Sequence, residues 1–481
     1  MLPFLSLVYL ALPYLIFAYG WLWRPYAAVV WLAVIAALAL TGRTLLGRGG
    51  PEKPAPGDPS WIHPVLVTAA TVGLAYLSGV GGLGYQQPGD WVKHNAILHD
   101  LSTMDWPVRY TDTAGVPQGR YLTYYIAYYL PAAVVGRLCG LIPAHLALFA
   151  WTLCGLLLVA AWLGRLLRSR VWMLWAAWFA LSGMDAAGVA LRGGGDWTFL
   201  EWWASLGQYS SNTSLLVWVP QHALPGWIAT ALVVDRAERE ADLSLAGFAA
   251  ALTGLWSPFV TIGLAPVVLL VLFRARWRTV FGFANLVAAP VVLFMSAAYL
   301  ASVDRGQVPN QWNITWYESQ WFAKAWPVFC LLEFGFYAML IYPNLRSDRD
   351  GRLPGTSWNR SWFWMAIAVL TLLPLYRIGI LNDLVMRASI PALFVFWVVL
   401  LRVISSPAFR WETWYSSLLL FCLLIGAIQP SYQLGVQVVG TPRHLEFAGS
   451  TPNLSIAHVQ GKFLPQYLGR PSSFFFGHLA P

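Results

Sequence analysis

The sequence has little charge for its length. Charged residues make up 11% of its 481 residues, whereas soluble proteins carry about 25%. Hydrophobic residues make up 58%, and the mean hydropathy is +0.58. The composition excludes an ordinary soluble domain and predicts an all-α polytopic membrane protein. The net charge of +9 comes from arginine clusters between apolar runs, so it indicates membrane topology and not nucleic-acid binding.

Cysteine and the simple catalytic motifs are also scarce. The four cysteines, Cys139, Cys154, Cys330 and Cys422, all fall within apolar runs. This excludes a disulfide framework and a CxxC metal site. The sequence contains no GxxxxGK[ST] or HExxH motif and no convincing GxSxG elbow. Any chemistry must therefore come from polar segments that follow no standard motif.

Long apolar runs dominate what remains. A helix needs about 20 apolar residues to cross the hydrocarbon core, so the sequence predicts about 13 transmembrane helices. They cover residues 2–19, 27–42, 62–83, 142–163, 171–190, 215–234, 243–258, 259–273, 279–301, 322–342, 361–378, 388–404 and 411–428. Ser257-Pro258 separates two short runs, for which a kinked or re-entrant pair is the alternative. We interpret the first run as a retained helix and not as a signal peptide.

Arginine clusters orient these helices. If the loop after the third helix is external, alternation places the dense clusters on the cytoplasmic side, as the positive-inside rule requires. These clusters are Arg43/Arg48/Lys53, Arg165/Arg168/Arg170, Arg236/Arg239, Arg274/Arg276/Arg278, Arg346/Arg349/Arg352/Arg360 and Arg402/Arg410. The orientation requires residues 121–140 to lie at the outer interface as a helix, since a crossing there would reverse it. The N-terminus is then cytoplasmic and the Ser431–Pro481 tail external, in the plasma (inner) membrane.

The external loop Gly84–Arg120 is the most polar part of the chain. In its DWVKHNAILHDL stretch, Asp90 and His94 are one helical turn apart and share a face. A carboxylate there can accept a proton or bind a cation. In an alternative interpretation compatible with the first, Asp90 caps the helix. Lys93 and Asp100 are further candidates for binding a substrate.

A second external segment, Ser182 to Asn212, contains Asp185 and Asp196 among tryptophans. For most of its residues a solvated loop with an aromatic belt is favoured. Asp185 differs, because it lies at the end of a predicted helix among small residues that permit the close approach of a ligand.

Gln221 and His222 lie between two prolines in WVPQHALPGW, at the start of a predicted helix. A histidine at such a break is costly unless it lines a cavity. A structural hydrogen bond is the alternative. We therefore expect these two side chains to face a ligand.

A tight external turn, RIGILNDLVMRASIP, contains Arg377, Asn382, Asp383 and Arg387. Arginine presents a planar fork of donors, so the two arginines match the needs of a phosphate clamp. The alternative is an Asp383–Arg387 ion pair that stabilises the turn. Asp383 alone does not satisfy both arginines, which favours an anionic ligand.

The order of these parts resembles the GT-C integral membrane glycosyltransferases. The resemblance covers about residues 60–405 and rests on architecture more than on a sharp motif. The matching parts are Asp90 in GDWVKH after a spanning helix, the run YLTYYIAYYLPAA, and the RLLRSR cluster between two helices. Asp185 and Asp196 correspond to an acidic second external loop, and Arg377 or Arg387 to the late arginines that hold the donor phosphate.

This resemblance implies a GT-C-like core at residues 61–428, with external loops at 84–141 and 191–214. Residues 1–60 would then form two extra N-terminal helices and a cytoplasmic loop, and residues 429–481 an external segment. The implied reaction transfers a sugar from a polyprenyl-phosphate donor to a glycan or lipid acceptor outside the membrane.

The implied catalytic residues are Asp90, as general base, and His94. The implied substrate-binding residues are Lys93, Asp100, Asp185, Gln221, His222, Arg377, Asn382 and Arg387. Trp91 follows Asp90 where some family members carry an acidic pair. The resemblance therefore names no certain cofactor and leaves a divalent cation open.

Other functional classes stay open on the sequence. A transporter or flippase of a lipid-linked or anionic substrate fits the broken helices, although no inverted hydropathy repeat is visible. A polysaccharide polymerase or ligase also uses lipid-linked sugars, but such proteins have a large late loop and here the largest polar loop is early. A non-catalytic scaffold explains the external ionisable groups less well.

Overall fold

The computed structural model is mostly helical (76%), as the apolar runs predict. It describes residues 1–47, 62–111, 119–167, 171–194, 197–239, 243–274, 279–303, 310–347, 353, 356–379, 381–443, 455–459 and 461–481. The fold is a bundle of helices with two small sheets.

The helices in the first half of the chain carry three of the four polar segments singled out above. They are α1 Leu2–Trp21, α2 Arg24–Gly47, α3 Ile62–Leu77, α4 Asp90–Thr103, α5 Leu130–Cys139, α6 Leu141–Leu167, α7 Val171–Ala180, α8 Asp185–Leu191, α9 Asn212–Trp218, α10 Pro220–Glu238 and α11 Ala246–Ala251. The second half comprises α12 Pro258–Arg274, α13 Ala289–Leu300, α14 Asn313–Trp316, α15 Ser319–Cys330, α16 Phe336–Ser347, α17 Thr356–Leu372, α18 Asp383–Ala388, α19 Ile390–Ile404, α20 Trp414–Gly426, α21 Ile428–Gly440 and α22 Ile456–Val459.

Short antiparallel strands join distant parts of the chain. The first sheet has the order β1 (Arg109–Tyr110), β2 (Arg120–Leu122) and β5 (Leu468–Gly469), so the C-terminal segment pairs with the first polar loop. The second sheet pairs β3 (Asn310–Trp312) with β4 (Tyr376–Ile378), where Gln311 lies opposite Arg377.

Within the described residues, six helices are long and apolar enough to cross a membrane. They are Leu2–Trp21, Arg24–Leu45, Leu141–Leu167, Met173–Leu191, Ser319–Arg346 and Trp414–Gly440. Shorter apolar helices are Pro64–Leu77, Leu130–Cys139, Pro258–Arg274, Ala284–Leu300 and Ile390–Ile404. These helices indicate a membrane protein, while the expected count of about 13 spans is not confirmed. Several predicted runs are broken, and the run 243–258 forms only the six-residue helix α11.

Two predicted boundaries differ from the structure. The tyrosine-rich run after residue 121 is not one helix, because β2 ends at Leu122 and α5 starts only at Leu130. With 10 residues, α5 extends about 15 Å, which is too short to cross the bilayer. At the other end of the chain, helical structure continues through Gly440 and not only to residue 428.

Tryptophan fills the protein interior more than the sequence alone indicates. Eight tryptophans are among the largest fully buried side chains: Trp21, Trp91, Trp162, Trp178, Trp227, Trp256, Trp362 and Trp397. Two of their indole nitrogens donate to backbone carbonyls, Trp91 to Val217 at 2.9 Å and Trp256 to Leu10 at 3.1 Å. Such tryptophans join helices by both packing and hydrogen bonding.

One buried ion-pair network joins the ends of α6, α10, α17 and α19. Arg402 donates to both carboxylate oxygens of Glu238 at 2.7 and 2.8 Å and to the Leu166 carbonyl at 3.1 and 3.0 Å. Asp235 accepts from Arg165 at 2.8 Å and from Arg239 at 2.7 Å. Three arginines from separate predicted cytoplasmic clusters thus meet at one end of the bundle.

Helix α10 relates this network to the polar residues at its other end. Its 19 residues extend about 28 Å, close to the thickness of the hydrocarbon core. His222 lies in its first turn and Glu238 is its last residue. The helix therefore separates His222 from Asp235 and Glu238 of the arginine network by about 20–24 Å, most of the thickness of the hydrocarbon core.

Candidate functional site

Helix α4 begins at Asp90 and places its first acidic residue against a lysine. Gly89, at φ 103°, occupies the N-cap, a backbone conformation that favours glycine. The interpretation of Asp90 as the cap is therefore wrong. Its carboxylate instead accepts from Lys93 Nζ at 2.6 Å, and the two side chains are 36% and 6% exposed. Asp90 thus forms a partly accessible ion pair at the helix N-terminus.

His94, one turn after Asp90, is fully buried with both ring nitrogens engaged. Its Nε2 contacts the Trp218 carbonyl at 3.1 Å, and its Nδ1 contacts the Tyr129 hydroxyl. A carbonyl only accepts, so Nε2 carries the proton and, in the neutral ring, Nδ1 accepts from Tyr129. His94 therefore orients α4 against α9 and has no nitrogen left for a substrate.

The junction of α9 and α10 explains why the Trp218 carbonyl is available. Val219 departs from helical geometry and Pro220 starts α10, so the regular hydrogen-bond ladder is interrupted. The freed carbonyls of Val217 and Trp218 accept from Trp91 at 2.9 Å and from His94. The break therefore fixes the position of α4.

Gln221 and His222 follow the same break and are fully buried. Among the described residues, neither the amide of Gln221 nor the ring nitrogens of His222 have a hydrogen-bond partner. The ring of His222 packs edge-on against Tyr125, with centroids 5.2 Å apart. Buried polar groups normally have partners, so these orphaned atoms indicate a place where a polar ligand binds.

Arg387, on α18, reaches the same group of residues. It pairs with Asp383 at 2.9 Å, as the alternative interpretation of this turn predicts. Its guanidinium also lies over the rings of Tyr125 and Phe259, at 5.7 and 5.9 Å from their centroids. Tyr125 thus lies between Arg387 and His222. We call Asp90, Lys93, His94, His222 and Arg387 the polar site.

Charges within the polar site act on one another. Burial alone would raise the pKa of Asp90, but Lys93, His94 and Arg387 outweigh it and hold that pKa below its usual value. Burial would lower the pKa of Lys93, yet the charge of Asp90 raises it above the ordinary value. Burial, with the charge of Lys93 second, lowers the pKa of His94 to about 3. At neutral pH, Asp90 and Lys93 are therefore charged and His94 is neutral.

Asp100 does not join the polar site. It is fully buried, and its carboxylate accepts from Tyr110 at 2.7 Å, Ser455 at 2.9 Å and the Ile456 backbone at 3.1 Å. Its second oxygen contacts His99 at 3.0 Å. The predicted substrate-binding residue therefore anchors the C-terminal segment to α4.

Arg377 and Asn382 also have other surroundings. Arg377 donates to the Tyr317 hydroxyl at 3.1 Å and lies 4.7 Å from the Trp316 ring centroid. Asn382 is fully buried, donates to the Leu206 carbonyl at 2.7 Å and accepts from the Ile378 amide at 3.3 Å. The structure brings Arg387, but not Arg377, to Asp90, and the Asn382 amide joins its own turn to the Leu206 backbone.

Asp185 belongs to a second group, which consists of three buried acidic residues. Asp185, Glu201 and Glu333 are at most 5% exposed, and their carboxyls interact with one another. Asp185 accepts from Ser182 at 2.9 Å, and Glu333 accepts from Trp203 at 2.8 Å. Burial raises the pKa of Glu201, which accepts from the Ser211 amide at 2.9 Å. We call these three residues the acidic cluster.

Four residues at or near these two groups, Glu333, Tyr124, Tyr125 and Tyr467, are not among the candidates predicted from sequence, and they differ in how well the sequence could have indicated them. Glu333 is an acidic residue within a predicted span, which is itself a functional signal. Tyr124 and Tyr125 lie in the tyrosine run that was interpreted as an interfacial helix. Tyr467 had no signal, because only the pairing of β5 with β2 brings it near Tyr124.

Among the described residues, a divalent cation finds no group of three ligands ready to bind it. Within the described residues, no three His, Cys, Asp or Glu side chains are arranged to hold a metal ion. Asp90 has Lys93 as its nearest charged neighbour, which disfavours a cation at its carboxylate. Asp196, the other acidic candidate of the second loop, lies outside the described residues.

The apolar helices of this chain indicate an α-helical membrane protein. Comparison with protein-family models, curated proteins and solved structures finds no match for it. Its activity must therefore be inferred from its own residues and their geometry.

Proposed function

We propose that this protein is an integral membrane glycosyltransferase that uses a polyprenyl-phosphate sugar donor. The observation that carries the proposal is the convergence of Asp90, Lys93 and Arg387 with the orphaned ring nitrogens of His222. A carboxylate, two cations and unpaired buried donors and acceptors meet the needs of an anionic, hydroxyl-rich substrate.

In the proposed reaction, an acceptor hydroxyl attacks the anomeric carbon of the donor sugar. The new glycosidic C–O bond forms as the bond from that carbon to the phosphate oxygen breaks, and the electron pair leaves with the polyprenyl phosphate. Asp90 accepts the hydroxyl proton, a contribution of about 10²–10⁴-fold for general-base catalysis. Arg387 and Lys93 stabilise the charge on the departing phosphate.

His94 has a positioning role in this proposal. Its hydrogen bonds to Trp218 and Tyr129 fix the rotation of α4, and α4 carries Asp90. Gln221 and His222 bind hydroxyls of the sugar or the acceptor. No step requires a metal ion.

The proposed site opens to the outer face of the plasma (inner) membrane, with the N-terminus cytoplasmic. The ion-pair network of Arg402 and Arg165 supports this orientation, because it collects arginines from predicted cytoplasmic loops at the far end of α10. The acceptor is then a lipid or cell-envelope glycan.

The test is sugar transfer in reconstituted nanodiscs. A panel of radiolabelled polyprenyl-phosphate sugars is offered with membrane extract as the source of acceptor. We expect the wild type to transfer label and Asp90→Asn to lose about 10²–10⁴-fold of that rate. The matched control is Asp105→Asn, since Asp105 lies on the same loop with its carboxylate fully exposed. An Asp90→Asn protein that folds and transfers like the wild type would remove Asp90 from the mechanism.

One observation favours a second candidate, a transporter of the lipid-linked or anionic substrate. Asp185 and Glu333 of the acidic cluster are buried within candidate spans, and ionisable groups there commonly mark ion or proton pathways. Proteoliposomes loaded with the same labelled lipids separate the two candidates. Movement of label across the bilayer without transfer, abolished by Asp185→Asn, would favour the transporter.

A further inference from the structure

The C-terminal segment, residues 455–459 and 461–481, is fastened to the outer end of the bundle at several points. Ser455 and the Ile456 amide donate to Asp100 at 2.9 and 3.1 Å. Phe476 stacks on Tyr121 with ring centroids 4.0 Å apart, and the Trp23 amide donates to the Leu479 carbonyl at 2.9 Å. A segment held this way is part of the folded protein.

The pairing of β5 with β2 brings one residue of this segment to the polar site. Leu468 lies opposite Leu122, and the Thr123 amide donates to the Tyr467 carbonyl at 2.8 Å. The side chain of Tyr467 therefore lies beside that of Tyr124, with ring centroids 4.9 Å apart and planes inclined by 46°. This register is set by backbone hydrogen bonds and does not depend on any side chain in the polar site.

The two tyrosines form one edge of the polar site. Lys93 Nζ lies 6.0 Å from the centroid of the Tyr124 ring. The Tyr467 phenol interacts electrostatically with Lys93, Asp90 and Arg387, although residues from Gly140 to Gln466 separate it in sequence from α4 and α5. Tyr467 is 5% exposed and Tyr124 is 7% exposed, so both rings are closely packed.

Aromatic rings beside a carboxylate and two cations suit a sugar next to a phosphate. The rings offer an apolar face for the C–H groups of a pyranose or furanose. The charged groups can form hydrogen bonds with the sugar hydroxyls and ion pairs with the phosphate. Arg387 and Lys93 would bind the phosphate of the donor, so the edge formed by the two tyrosines is left for its sugar.

We propose that Tyr467, paired with Tyr124, is a sugar-contacting residue that the C-terminal segment supplies to the polar site. This inference rests on the proposed glycosyltransferase function and adds a specificity determinant to it. The segment is then part of the substrate site and does more than cover it.

The test compares binding of two probes in nanodiscs, undecaprenyl phosphate without a sugar and the same lipid carrying glucose, mannose or arabinose. We expect Tyr467→Ala to weaken binding of a sugar-loaded probe about tenfold, the upper range for one aromatic contact, and to leave the sugar-free probe unchanged. Tyr467→Phe keeps the ring and should stay within about twofold of the wild type. Arg387→Gln should weaken both probes.

Phe476→Ala is the matched structural control, because Phe476 fastens the same segment through Tyr121, away from the polar site. Unchanged binding of the sugar-loaded probe by Tyr467→Ala would overturn the inference, as would equal weakening of both probes or an equal loss in Tyr467→Phe. A wild type that binds neither probe would reject the proposed function, and this inference with it. A wild type that binds both while Tyr467→Ala matches it would reject the inference alone.

Discussion

Lys93 controls the charge of the proposed base. Its ammonium lies 2.6 Å from the carboxylate and, together with His94 and Arg387, outweighs the burial that would otherwise raise the pKa of Asp90. A carboxyl with a lowered pKa is ionised above that value and loses its ion pair as the pH falls through it. The transfer rate should therefore be insensitive to Asp90 protonation near neutral pH and fall only in acid.

Replacing Lys93 by methionine tests this relation. Burial would then dominate, so the pKa of Asp90 should rise and the acid limb of the pH–rate profile should move up by about one pH unit or more. Lys324→Met is the control, since Lys324 is exposed on α15. If the acid limb of Lys93→Met coincides with that of the wild type, Lys93 does not set the ionisation of Asp90.

A substitution at His222 should affect substrate binding without affecting the stability of the fold. Its ring nitrogens have no partner among the described residues, so His222→Phe removes no internal hydrogen bond. We expect a melting temperature within about 2 °C of the wild type together with lost binding of the lipid-linked sugar. Asn285→Leu should instead lower the melting temperature and leave binding of the lipid-linked sugar unchanged. The Asn285 amide makes hydrogen bonds of 2.8–3.0 Å to Leu243, Val280 and Phe248, all of which leucine would lose. A large drop in the melting temperature of His222→Phe would indicate a structural histidine.

Sequence reasoning located Asp90, His222 and Arg387 because each is an unusual residue at a helix end. It did not separate ligand-facing residues from internal ones. Asp100 and Asn382 are predicted to bind substrate on the same grounds, yet the polar groups of both are engaged in hydrogen bonds inside the protein. Those bonds depend on Ser455, Ile456 and Leu206, whose proximity local sequence does not encode.

At the level of helices, the Arg402–Glu238 pair joins α19 to α10. The two side chains are 1% and 8% exposed. Removing one partner leaves a buried charge uncompensated, so Glu238→Gln should lower the free energy of unfolding by about 3–5 kcal/mol. Thermal and denaturant unfolding in detergent micelles would measure it.

The double variant Arg402→Met/Glu238→Leu provides the complementary result. It removes both charges together, and we expect it to be more stable than Glu238→Gln. Arg360→Met, an exposed arginine on α17, should leave the stability nearly unchanged. A Glu238→Gln protein as stable as Arg360→Met would show that the pair does not hold the helices together.

Hydropathy predicted where helices occur, but not how they are divided. The predicted span 215–234 is split at Val219 into α9 and α10, and the predicted span 171–190 into α7 and α8. Pro220 marked the first break. The second break has no proline; Asp185 starts α8 there, packed against Glu333 of another helix. Breaks that depend on tertiary contacts are not visible in a single run.

For the whole molecule, the length of α10 relates function to topology. Along it, His222 of the polar site lies about 20–24 Å from Asp235 and Glu238 of the arginine network, most of the thickness of the hydrocarbon core. Because short loops rich in arginine stay cytoplasmic, the polar site should face outward. The C-terminal segment, which contacts α4 through Asp100, should lie on that same outer side.

Cysteine labelling tests this topology directly. The background replaces Cys139, Cys154, Cys330 and Cys422, and single cysteines are introduced at two exposed positions, Ser472 and Glu412. Ser472 lies in the C-terminal segment, whereas Glu412 follows α19 near the arginine network. We expect a membrane-impermeant maleimide to label Ser472→Cys in right-side-out vesicles and Glu412→Cys only in inverted ones. The opposite pattern would place the polar site in the cytoplasm, where an outer-face glycan acceptor is out of reach, and labelling of both from one side would mean that α10 does not separate two membrane surfaces.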